Sequence, residues 1–144
     1  MLNKSSNLSS QQYNQYQEKC FSLLDHGSKI LLGKNEQLKK ALVCVLSGGH
    51  LLVEDIPGVG KTTLVHIIAK ILGFDVSRIQ FTNDLLPSDI TGVSIFNKQT
   101  SCFEFLKGPL FSHLVLADEL NRATAKTQSA LLQSMEEGCI TVDG

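Results

Sequence analysis

Apolar residues recur at helical spacing along two clear stretches of the chain. Leu38, Ala41, Leu42, Val45 and Leu46 stand at i, i+3, i+4, i+7 and i+8, which is one stripe of an α-helix. Asn35 is a candidate N-cap for it, and Gly48-Gly49 is its stop. Leu64, Ile67, Ile68, Ile71 and Leu72 repeat the spacing, and Gly73 sits where a C-terminal glycine cap belongs. A further helix is expected over 121–137, closed by Gly138, and a short one over 16–25, with Phe21 and Leu24 on one face and His26-Gly27 at its end. Residues 1–15 are mostly Ser, Asn and Gln with few apolar residues. They cannot bury enough surface to offset their ordering entropy and are expected to form a disordered tail, leaving residues 16–144 as the folded part.

Between the helical stretches lie shorter apolar runs that read as strands: Leu51–Glu54, Ser77–Thr82 and His113–Glu119. Val93–Phe96 and Cys102–Leu106 flank the polar turn Asn97-Lys-Gln-Thr-Ser101, so a hairpin is expected there. Asn83–Ile90, with Pro87, reads as loop rather than helix. Cys139–Val142 alternates like a strand before the turn signal Asp143-Gly144.

The candidate chemistry sits where the strand at 51–54 meets the helix at 64–72. The stretch Glu54-Asp-Ile-Pro-Gly-Val-Gly-Lys-Thr-Thr63 places two glycines in the connecting loop. Gly58 and Gly60 lack a Cβ, so the backbone can turn tightly and approach a ligand closely. Backbone N–H groups from about Gly58 to Thr62 can then line one concavity at a helix N-terminus, which favours an anion. Pro57, Gly58, Val59, Gly60, Lys61, Thr62 and Thr63 are the expected nucleotide-binding residues. Lys61 suits the β- and γ-phosphates, and the Thr62 hydroxyl suits Mg²⁺. Strict Walker A spacing would put glycine at Asp55, whose side chain is expected to turn away from triphosphate. The motif calls for ATP or GTP.

A second element stands about sixty residues on. His113-Leu-Val-Leu-Ala-Asp-Glu119 is an apolar strand ending in two carboxylates, and open α/β sheets bind ligands beyond the carboxyl ends of their strands. Asp118 is the expected Mg²⁺ ligand, through water. Glu119 is the expected base for the water that attacks the γ-phosphate, so Glu119 and Lys61 are the candidate catalytic residues.

Composition narrows the picture little. The chain has 144 residues, 42% hydrophobic and 19% charged, with a net charge of −1, so nothing in it asks for nucleic acid. Four cysteines show no C-x-x-C pair and read as reduced thiols. No apolar run reaches the length of a membrane span and the N-terminus has no signal-peptide core, so a cytoplasmic protein is expected.

In order along the chain, Gly49-His-Leu-Leu-Val-Glu-Asp-Ile-Pro-Gly-Val-Gly-Lys-Thr62, Arg78-Ile-Gln-Phe-Thr-Asn-Asp-Leu-Leu-Pro-Ser-Asp-Ile-Thr-Gly92, Gly108-Pro-Leu-Phe111, Leu116-Ala-Asp-Glu-Leu-Asn-Arg-Ala123 and Lys126-Thr-Gln-Ser-Ala-Leu-Leu132 resemble the N-terminal half of a MoxR-type AAA+ ATPase. The resemblance implies an α/β P-loop NTPase core, three-layer αβα, of sheet order 5-1-4-3-2, with a helix-2 insertion at the 93–106 hairpin. It implies Mg-dependent ATP hydrolysis, assembly into a homo-oligomeric, usually hexameric, ring, and chaperone-like remodelling of a protein client, often with a partner carrying a von Willebrand A domain. In the family the fourth and fifth core strands, the sensors, the arginine finger and the lid domain follow the position of Gly144, so feeble ATPase activity is expected of these residues alone. Asn83 stands where the family has proline, Thr124-Ala125 replace Pro-Pro, and Gly33-Lys34 replace Gly-Gln beside the expected adenine pocket, which leaves base choice open. Arg122 is read either as a contact to nucleotide or a neighbouring subunit or as a salt bridge. The rival readings are a non-catalytic nucleotide-binding or ring-interaction module and another helix-2-insert ATPase such as a chelatase-like motor.

Overall fold

The computed structural model describes residues 9–31, 33–54 and 61–140, the side chain of Lys61 excepted. They fall into two compact units, one reaching Leu72 and one beginning at Gly73.

The first unit is helical. α1 spans Ser10–Ile30, α2 Asn35–Leu46 and α3 Lys61–Leu72, and the three pack against one another. Leu38, Ala41 and Leu42 of α2 and Leu64, Ile67 and Ile68 of α3 are buried, so the two periodic stripes face the core except at the end of α2, where Leu46 is 55% exposed. α1 corrects the sequence reading at both ends. It starts six residues before Tyr16, because Ser9 accepts from the Gln12 N–H while the Gln12 side chain accepts from the Ser9 N–H, a reciprocal cap that polar composition alone concealed. It also runs through His26-Gly27. Gly27 is buried inside α1, and a Cβ there would lie 2.5 Å from Leu38 Cδ2 and 2.9 Å from Ile71 Cδ1. This glycine serves close helix packing instead of ending the helix. α2 is capped at Lys34 without a side-chain bond, which displaces Asn35 from the expected capping role.

Leu51–Glu54 is described but forms no strand, contrary to expectation. Leu51 and Leu52 are 44% and 82% exposed. A strand exists through its ladder, and among the described residues this segment has no ladder partner.

The second unit holds two small sheets. β1 (Val76–Gln80) pairs in parallel with β4 (Leu114–Asp118), with Gln80 opposite Asp118. β2 (Gly92–Asn97) and β3 (Cys102–Lys107) form the expected hairpin. Between β1 and β2 the chain forms α4 (Pro87–Thr91) where a loop was expected. Pro87 opens that turn and Asp89 accepts from the Leu86 N–H at 2.8 Å, so the residues that read as breakers act as a helix start. A one-turn 3₁₀ helix at Leu120–Arg122 precedes α5 (Ala125–Glu137). Thr124 caps α5 by accepting from the Thr127 N–H at 3.3 Å, so the expected helix from 121 is split. Cys139 and Ile140 are not in a strand, and residues 141–144 lie outside the described residues.

Ile79, Phe81, Ile90 and Leu131 form the core of this unit. Thr127, fully buried, donates to the Leu85 carbonyl at 2.7 Å, tying α5 to the segment before α4. The hairpin is closed at its base by Gly92 and Gly108. Gly92 has φ +104 and ψ 174, a region open almost only to glycine, and a Cβ there would meet the Leu106 carbonyl oxygen and the Gly108 nitrogen. Gly92→Ala is expected to destabilise the protein by at least about 1–3 kcal/mol from backbone strain alone; urea denaturation measures it, and an unchanged midpoint would contradict this account of the hairpin base.

Candidate functional site

The expected phosphate loop falls largely outside the described residues: Asp55, Pro57, Gly58, Val59 and Gly60 lie there, as does the side chain of Lys61. What is described is the helix that the loop enters. α3 begins at Lys61, so the N–H groups of its first turn, from Lys61 to Leu64, have no carbonyl within the helix. Thr62 and Thr63 are exposed in that turn, which carries no acidic residue. The positive end of the helix dipole is therefore uncompensated by a carboxylate on α3, a setting that suits an anion.

The two carboxylates of the second motif stand at the carboxyl end of β4. Asp118 is the last residue of the strand, and its carbonyl accepts from the Phe81 N–H at 2.9 Å. Its Oδ2 accepts from Arg78 Nη2 at 2.7 Å, and the same nitrogen donates to Gln80 Oε1 at 2.9 Å. Glu119 leaves the strand in the left-handed region, φ 57 and ψ 39, with its side chain exposed. That backbone costs a non-glycine residue about 1–2 kcal/mol, and such strain concentrates at functional positions. The turn after it is pinned twice: the Arg122 N–H donates to the Glu119 carbonyl at 2.9 Å, and Gln128 Nε2 donates to the carbonyls of Leu120 and Ala123 at 3.2 and 3.1 Å. Arg122 itself is exposed and has no ion-pair partner among the described residues.

Thr62 and Asp118 are both hard oxygen donors, the chemistry that Mg²⁺ prefers. Among the described residues no three His, Cys, Asp or Glu side chains converge as a metal cage. Mg²⁺ needs no such cage, since it is held through one or two protein oxygens together with phosphate oxygens and water. The oxygen chemistry of each of the two residues, taken by itself, suits the ion.

Arg78 and Gln128 are the residues that motif reading missed as parts of the site. Arg78 is 40 positions from Asp118, and only the β1–β4 register brings them together. Gln128 acts through a side-chain amide aimed at backbone carbonyls, which leaves no periodic signal. All four cysteines are free thiols, and Cys139 is held above its ordinary pKa by its hydrogen bond to the Glu137 carboxylate. No helix among the described residues is long and apolar enough to cross a membrane.

Comparison with known proteins identifies the family and the fold. Residues 50–144 match the profile of the ATPase family associated with various cellular activities (AAA). The chain is 53% identical over 133 residues to the uncharacterized protein YeaC of Bacillus subtilis, covering 90% of this chain and 42% of that protein. It is 44% identical over 116 residues to the chaperone MoxR1 of Mycobacterium tuberculosis, covering 81% of this chain and 31% of MoxR1. A solved structure of a candidate ATPase from Cytophaga hutchinsonii superposes with a TM-score of 0.79 at 43% identity, over 90% of this chain and 39% of that one. The chain thus spans about two fifths or less of the length of these relatives, and the superposition shows the α/β fold of an AAA+ P-loop core. The chain belongs to the ATPase family associated with various cellular activities, and within it to the MoxR type.

Proposed function

We propose that this chain supplies the nucleotide-binding portion of a Mg-dependent ATPase that remodels protein clients in the manner of a chaperone. The observation that carries the reading is the strand β4 that ends in Asp118 and hands over to a left-handed, exposed Glu119, in a chain that also carries Gly-Val-Gly-Lys-Thr at 58–62. In this reading Gly58 to Thr63 cradle the phosphates with backbone N–H groups, and Lys61 opposes the charge of the β- and γ-phosphates. Thr62 and Asp118 would hold Mg²⁺, which neutralises charge on the phosphate oxygens. Glu119 orients a water and accepts its proton as the water oxygen bonds to the γ-phosphorus and the bond to the β–γ bridging oxygen breaks.

Ring assembly belongs to the same reading. An arginine from a neighbouring subunit would stabilise the charge of the transition state, so turnover by separate chains is slow. The client, and a partner with a von Willebrand A domain, would engage the assembled protein in the cytoplasm. The name chaperone carried by the relative MoxR1 supports the remodelling part. Displacement of a fluorescent ATP analogue by unlabelled Mg-ATP tests the first step. Saturable binding that ATP competes away is expected, and the absence of saturable binding would contradict the proposal.

A further inference from the structure

The described residues present three features that the reading above does not use. The β2–β3 hairpin exposes Phe96, Phe103, Leu106 and Val93, but nothing in the structure shows what covers it. A crevice between α1 and α2 is lined by Phe21, Leu24, Asn35 and Lys39 among others, and among the described residues no buried side-chain polar atom is left without a partner. The third feature is the bridge from Arg78 to Asp118.

That bridge is specific in its atoms. Arg78 and Asp118 are on adjacent parallel strands, and Arg78 lies two positions before Gln80, the residue opposite Asp118. Alternation in a strand puts Arg78, Gln80 and Asp118 on one face of the two-stranded sheet. One guanidinium nitrogen, Nη2, donates at once to Gln80 Oε1 and Asp118 Oδ2. The side chains of Arg78 and Asp118 are 55% and 41% exposed, and a pair so exposed adds little to stability. What it does is geometric: Oδ2 of Asp118 is engaged by Arg78, and Oδ1 receives no hydrogen bond among the described residues.

We infer that Arg78 is a positioning residue for Asp118, holding Oδ2 and leaving Oδ1 available to the water shell of the magnesium ion that would accompany ATP. The inference rests on the proposed nucleotide function. Partners that orient metal-binding carboxylates typically matter by about 10- to 100-fold in metal affinity. Arg78 also carries positive charge, which alone would repel Mg²⁺, so orientation and repulsion predict opposite signs when it is removed.

The test is a Mg²⁺ titration of ATP-dependent thermal stabilisation for the wild type, Arg78→Gln and Arg78→Lys, with ATP in EDTA as the metal-free reference. Arg78→Gln is expected to need about tenfold more Mg²⁺ for half of the full stabilisation, with its shift in EDTA unchanged. Arg78→Lys keeps a cationic nitrogen that can serve both acceptors, though on a more flexible stem, and is expected to need less Mg²⁺ than Arg78→Gln. An unchanged Mg²⁺ requirement in Arg78→Gln would reduce the bridge to an ordinary surface ion pair and overturn the inference. A lower requirement would overturn it too, by showing that Arg78 acts as a competing charge. A wild type that ATP stabilises at no Mg²⁺ concentration would instead overturn the nucleotide-binding reading, and this inference with it.

Discussion

Glu119→Gln is expected to slow hydrolysis of bound ATP by about 100- to 10,000-fold, the usual contribution of a positioned general base, while leaving ATP affinity within a fewfold of the wild type. The substitution keeps the size of the side chain and its left-handed backbone, and removes only the ability to take a proton from water. Asp118 and the N-terminus of α3 are untouched by it. Single-turnover hydrolysis of pre-bound ATP, quenched in acid, reads the chemical step even where multiple turnover is slow. ATP should therefore remain trapped on the variant. Equal hydrolysis rates in the two proteins would remove Glu119 from the mechanism and favour the rival reading, a module that binds nucleotide without turning it over.

Lys61→Ala is expected to act on binding itself. A hydrogen bond to a charged group contributes about 1.5–3 kcal/mol, which corresponds to roughly a 10- to 100-fold rise in the Kd for ATP. Lys61 opens α3, where the helix dipole already favours an anion, so the variant is expected to retain weak affinity for phosphate. Its fold should be unaffected, because the stripe that buries α3 is made by Leu64, Ile67 and Ile68. Titration of ATP against both proteins measures the difference; equal affinities would mean that the glycine loop does not deliver Lys61 to the phosphates.

Much of the fold could be read from the chain because its signals are local. The stripes of α2 and α3 face inward up to Leu46, which is exposed, and β1, the β2–β3 hairpin and β4 lie within a residue or two of where alternation and apolar runs put them. Local signals also explain the errors. Gly27 reads as a stop because a missing Cβ looks the same whether it ends a helix or lets Leu38 and Ile71 come close. Pro87 and Asp89 read as breakers, yet the same two residues are well suited to starting a helix. Leu51–Glu54 has the composition of a strand, but a strand is completed by a neighbour that lies elsewhere in sequence.

The candidate site divides in the same way. Lys61, Thr62, Asp118 and Glu119 stand out as motifs because phosphate and metal chemistry imposes residue types at short fixed spacings. The left-handed backbone of Glu119 and the bridge from Arg78 to Asp118 have no such spacing. The first is set by the turn that Gln128 pins, the second by the register of two parallel strands. Neither depends on residues at a short fixed spacing.

The central claim is that this chain binds Mg-ATP through its glycine loop and Lys61, and thermal unfolding with and without Mg-ATP, beside Lys61→Ala, tests it most directly. A ligand that binds only the native state stabilises it by about 2.7 kcal/mol when present at 100 times its Kd. The account predicts a clear rise in the wild-type Tm and, at the same ATP concentration, a much smaller one in Lys61→Ala. Equal rises in the two proteins, or none in the wild type, would contradict it.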